Sequence, residues 1–326
     1  MNEVINRMLE KRENPYPETI LMKFINRSEH YDTIIIVEGI SDEDFYKNTN
    51  INILNNDNVY YIFARRGQDD MNNKKYDVGK EAVIKAYFEI RESSKTNSFK
   101  NKVVFIVDKD FFGIDWNASK YRKFKEKMGA KPEDINNFTI LDCHSHECYF
   151  ILEKNINLIF KLLGIEDKIE QFNKILNENL DKLSDYFAYK SILLDENPNR
   201  SNRWDYDNFK NTSIISFNFE FDGKQLTFNI NDMKSDIEKM KSEIIWSSNR
   251  KNLEMQYAEM KQKFKLHPEL LRGHTLFELL ECYLKYYGKT IKNYKDYNNK
   301  IIKEMDIPLD IKILKFGFGG YKLEEE

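Results

Sequence analysis

Cysteine is scarce in this chain: three in 326 residues, with Cys143 and Cys148 close together and Cys282 remote. So few thiols cannot frame a protein of this size with disulfides, and a reducing compartment is the natural expectation. Net charge is missing too, because 51 Lys+Arg against 54 Asp+Glu leave only −3. Overall charge therefore names no partner, and a nucleic-acid surface would have to come from local clustering. No apolar run approaches the ~20 residues that span a bilayer, and the charged stretch Met1 to Glu13 lacks the apolar core of a signal peptide. The expectation is a cytoplasmic protein with no membrane partner. Neither an internal repeat nor a Gly-rich phosphate loop is found.

What is there is core material. Hydrophobic residues make up 41% and aromatics 14%, including 19 Tyr and 23 Phe, which excludes disordered, collagen-like and low-complexity classes. The length suits one large domain or two ordinary ones. Four β-rich runs occupy the first half, Thr33 to Val37, Asn58 to Phe63, Lys102 to Val107 and Asn137 to Leu141. The first and third are nearly continuous Ile/Val/Phe, as expected of strands buried on both faces of a parallel sheet. Helical patterns separate them. One begins at Ser41, a candidate N-cap followed by Asp42, Glu43 and Asp44; another covers Lys80 to Arg91; a third covers Ala118 to Met128.

Such alternation predicts an α/β fold with a mainly parallel sheet flanked by helices. From about Ile151 the pattern turns mostly helical, at Asn155 to Leu163, Lys168 to Tyr189, Met233 to Phe264 and Leu276 to Tyr287. A β-hairpin insertion around Asp222-Gly223 interrupts it. Two domains are expected, an α/β catalytic domain over 1–152 and a helical domain over 153–326.

Ligands of parallel sheets gather beyond the strands' carboxyl ends. The first strand leaves through Glu38-Gly39 and the third through Asp108-Lys109-Asp110. The two aspartates, two apart, point to one side of an extended segment, and with Glu38 they form an acidic rim that suits a hard divalent cation. The same aspartates also suit a strand end and turn, with Glu38 as an ordinary exposed acid. Arg65 and Arg66 leave the second strand at this rim, where guanidinium groups either hold a phosphate or pair with Asp69 and Asp70. Glu147 follows the fourth strand, as a further acid of the site or a helix-start carboxylate. Cys143, His144, His146 and Cys148 match no structural zinc spacing, and the two histidines read as site-lining or surface groups.

Two segments concentrate positive charge. Between Ala118 and Lys131 there are six basic residues against one acid, and between Lys261 and Lys303 ten against four, with Tyr283, Tyr286, Tyr287, Tyr294 and Tyr297 interleaved. Lys285, Lys289 and Lys292 with these tyrosines read as an RNA or single-strand surface, or else as solvated lysines over core tyrosines.

The runs Ile34-Ile35-Ile36-Val37-Glu38-Gly39-Ile40-Ser41-Asp42 and Phe105-Ile106-Val107-Asp108-Lys109-Asp110 resemble the toprim fold of topoisomerases, primases and related nucleases over roughly residues 30–150. His144 to Phe150 and Arg272-Gly273-His274 resemble a narrower branch, the toprim effectors of PARIS-type anti-phage defence, which accompany ABC-type ATPases. The resemblance implies a toprim-like sheet and a Mg²⁺-dependent nuclease, with Mn²⁺ as an alternative ion. It assigns Glu38, Asp108 and Asp110 to the metal and the chemistry and adds Glu147 to the catalytic set. It further implies a nucleic-acid substrate, RNA or tRNA before DNA, and a toxic effector regulated by an ABC-type ATPase and active as a homodimer. A non-catalytic toprim-like module and a nucleotidyl transferase are the alternatives.

Overall fold

A computed structural model describes residues 20–51, 54, 57–63, 68–69, 74–75, 82–83, 86–87, 89–90, 93–96, 98, 102–108, 138–141, 143–195, 215–247, 250–293, 296–297 and 299–308. Four parallel strands form the central sheet: β1 (Thr33–Val37), β2 (Val59–Phe63), β3 (Val103–Val107) and β4 (Phe138–Ile140), in the order β2-β1-β3-β4. Val37 pairs with Phe63, Ile36 with Phe105 and Val107 with Ile140, so all four strands end at one rim. Every residue of β1 and β3 is buried, as their unbroken apolar character predicts.

The pleat divides those residues between two layers. Ile34, Ile36, Val103, Phe105 and Val107 face Phe24 of helix α1 (Ile20–Ser28) and the helical residues Ala82, Val83, Ala86, Tyr87 and Ile90. Ile35, Val37, Val104 and Ile106 face Phe45 and Tyr46 of α2 (Ile40–Lys47) and the apolar residues of the chain's second half. That second layer runs without a break from the sheet into the helices. The expected boundary at 152 therefore falls inside one continuous core.

Among the described residues, the α-helices beyond the sheet are α3 (Glu153–Leu163), α4 (Ile169–Asp195), α5 (Ile230–Ser247), α6 (Arg250–Leu266), α7 (Gly273–Tyr286) and α8 (Asn299–Glu304). Gly164 ends α3 with φ 68°, the left-handed geometry that glycine adopts without a Cβ penalty. The helical character expected over Met233 to Phe264 is carried by α5 and α6, with residues 248–249 outside the described residues. The β insertion is shorter than its composition suggests, with Glu220–Phe221 pairing antiparallel to Leu226–Thr227 around the Asp222-Gly223 turn. Ser41 does not cap α2. Gly39 occupies that position, and Ser41 lies exposed inside the first turn. Among the described residues no helix is long and apolar enough to cross a membrane. The expected helix over Ala118 to Met128 lies outside the described residues.

Candidate metal and catalytic site

The rim is assembled from three strand ends and the start of α7. Glu38 follows β1 and Asp108 follows β3, both half-buried, and Glu38 Oε1 accepts the Asp108 backbone N–H at 2.8 Å. This bond ties together the two strand ends that the sequence picks out. Asp42, third residue of α2, does two jobs with one carboxylate. Its Oδ2 accepts the Gly39 N–H at 2.6 Å, the return half of a capping box, and its Oδ1 lies 2.9 Å from Nδ1 of His146. Ligand atoms of Asp42, Asp108 and His146 all fall within 4.8 Å of one another, the one metal-compatible group among the described residues.

His146 belongs to the buried 3₁₀ turn His146–Ile151 that follows the fourth strand. Its ring packs 4.8 Å from that of Phe45. Burial alone would push this imidazole toward neutrality, but Glu147 and Asp42 outweigh it and hold its pKa at about 9. Glu147 is buried as well, and that raises its carboxyl; the charges of His146 and His274 overcome the effect and bring it down to about 2. Its Oε1 lies 3.6 Å from His146 Nε2 and 3.0 Å from His274 Nδ1. No family model matches the chain, and no curated protein does.

His274 reaches this point because α7 begins against the turn. A Cβ on Gly273 would lie 2.2 Å from Ser145 Oγ and 3.0 Å from Cys148 Sγ, so only glycine permits the approach. The His144 N–H donates to Glu269 O at 2.8 Å just before the helix, which fixes the same junction from the other side. The run Arg272-Gly273-His274 thus has a geometric reason to exist. The zinc alternative finds no support in the thiols. Cys143 Sγ donates to Ser145 O at 3.1 Å, Cys148 Sγ donates to Leu271 O at 3.5 Å, and burial pushes the Cys143 thiol up, away from the thiolate a metal needs. His144 and His146, expected to line the site or sit at the surface, are both buried.

Of the residues expected at the site, Glu38, Asp108 and Glu147 come together; Asp110, Arg65 and Arg66 lie outside the described residues. Asp42, His146 and His274 join them without having been assigned to the metal or the chemistry. Their signals were present, an acid three residues beyond Gly39 and the His-bearing runs His144 to Phe150 and Arg272 to His274, but only tertiary contact unites them. Lys285 and Lys289 stand elsewhere. Lys285 is exposed at the far end of α7, about 16 Å from His274 at the helical rise, Lys289 is half-buried, and Lys292 lies in a described strand. Tyr283, expected among stacking rings, is fully buried and donates its hydroxyl to Lys168 O; Tyr286 remains exposed.

The charges of the turn set a pH dependence for the metal-free protein. His146 has its folded pKa raised from 6.5 to about 9, so its contribution is complete below 6.5 and is lost as pH climbs through 9. Glu147 has its own lowered from 4.5 to about 2, so its contribution is complete above 4.5 and is lost as pH falls through 2. In a chelator, the wild type should exceed His146→Asn in melting temperature by most between those windows and by progressively less above neutral pH. Parallel curves for the two proteins from pH 6 to 10 would contradict the charge assignment.

Proposed function

We propose that the chain is a metal-dependent nuclease that hydrolyses phosphodiester bonds in nucleic acid, RNA and tRNA before DNA. The observation that carries this reading is the convergence of Asp42, Asp108 and His146 beside Glu38 at the carboxyl rim of a parallel sheet. Donors at that spacing fit a single cation. Two carboxylates suit Mg²⁺ or Mn²⁺, and the imidazole among them weights the set toward Mn²⁺. A divalent ion bound there supplies Lewis-acid polarisation of a phosphate oxygen. Glu38, outside the convergent group and half-buried, is the base that takes a proton from the attacking water. Its bond to the Asp108 N–H fixes its reach relative to the metal carboxylate.

The toprim resemblance supports this reading and extends it to a toxic effector of anti-phage defence, held by an ABC-type ATPase and active as a dimer. One observation favours the non-catalytic alternative: His146, held as a cation between Asp42 and Glu147, balances the buried acids without any metal. The two readings part under titration. Mn²⁺ should raise the wild-type melting temperature more than equal Mg²⁺ and leave Asp108→Asn unmoved, because binding to the native state alone stabilises by mass action. Incubation of the same protein with plasmid, single-stranded DNA and tRNA, with and without each ion, should then show cleavage that a chelator stops. Metal binding without cleavage of any of the three would favour the binding module.

A further inference from the structure

One imidazole at the edge of the cluster is mounted with more care than an ordinary surface histidine. The side chain of His274 is 56% exposed, yet its Nδ1 is 3.0 Å from a carboxylate oxygen of Glu147, whose side chain is 3% exposed. A buried carboxylate on Nδ1 fixes both the ring's orientation and its tautomer, and leaves Nε2 as the outward-facing nitrogen. The same oxygen approaches His146 Nε2, so the exposed ring hangs from the metal-compatible group by a single shared atom. The backbone beneath it is equally fixed, because Gly273 abuts Ser145 and Cys148 with no room between them.

We propose that His274 is the general acid of phosphodiester cleavage at this site and that Glu147 is its positioning residue, an inference that rests on the nuclease reading above. Water oxygen bonds to phosphorus and its proton passes to Glu38. The bond from phosphorus to the leaving oxygen breaks, the electron pair stays on that oxygen, and the oxygen takes the Nε2 proton of the His274 imidazolium, which is left as the neutral Nδ1–H tautomer held by Glu147. Glu38 then releases its proton to solvent, and the open face of His274 recovers one. No other reactant is consumed. The sequence placed Glu147 among the catalytic acids; here it acts through His274 and His146.

The test compares two substrates that differ in their need for a proton. In Mn²⁺, His274→Ala should cut the nucleic acid that the wild type cuts about 10²-fold more slowly or worse, the usual worth of a general acid. The p-nitrophenyl ester of thymidine 5′-phosphate should be cleaved within a few-fold of the wild-type rate, since p-nitrophenolate leaves unprotonated. Added imidazole should restore nucleic-acid cleavage to His274→Ala and not to Glu38→Gln. His274→Gln with a wild-type melting temperature guards against misfolding. Equal losses on both substrates without imidazole rescue, or no loss on either, would overturn the assignment to His274 while leaving Glu38-dependent cleavage intact. A wild type with no Glu38-dependent cleavage would instead remove the nuclease reading and this proposal together.

Discussion

Glu38→Gln is expected to slow nucleic-acid cleavage by about 10²- to 10⁴-fold, the range for loss of a general base, with a melting temperature close to that of the wild type. The two halves of that result have different causes. Glutamine keeps an oxygen where Glu38 Oε1 accepts the Asp108 N–H at 2.8 Å, so the ends of β1 and β3 stay joined. It has no basicity with which to take a proton from water. Glu38→Ala removes both functions, and the part-buried amide left without its acceptor should cost about 1–3 kcal/mol as well. Rates of the two variants measured beside their melting curves separate chemistry from folding. A Glu38→Gln protein that cuts at the wild-type rate would falsify the role given to this carboxylate.

Phe150→Ala is expected to destabilise the whole chain by about 3–5 kcal/mol, the usual cost of removing a buried phenyl ring. Phe150 is fully buried, with its ring 5.9 Å from Phe45 on the sheet side and 5.0 Å from Phe277 of α7. It is a hinge-pin of the core that runs from β1 and β3 into the second half. Because the sheet and α7 share this ring, denaturant unfolding of wild type and variant should each follow one transition, with the variant's midpoint displaced. Two separated transitions, with only one displaced, would restore two independent domains on either side of residue 152.

The sheet was legible because its signal is local. Runs such as Thr33–Val37 and Val103–Val107 carry their double-sided burial in composition alone, and the acids at their ends follow from strand direction. The cap of α2 was misread for an instructive reason. Ser41 is the residue type that caps helices, but the carboxylate of Asp42 serves the Gly39 N–H from inside the helix. At the site, Glu38 and Asp108 could be read one strand at a time, whereas His146 joins them through Asp42 and His274 through Glu147, contacts between segments far apart in the chain. Helical spacing likewise could not tell buried Tyr283 from exposed Tyr286, three positions on.

The junction of Gly273 with Ser145 and Cys148 also decides how a long polymer can approach. At 2.2 Å from a hypothetical methyl, the Ser145 hydroxyl leaves no gap through which a strand of nucleotides could thread. The start of α7 and the turn after β4 therefore form one wall of the site. On the nuclease reading, a polynucleotide bound at this site would lie against that wall rather than pass between its two parts, and its traffic would be one-sided.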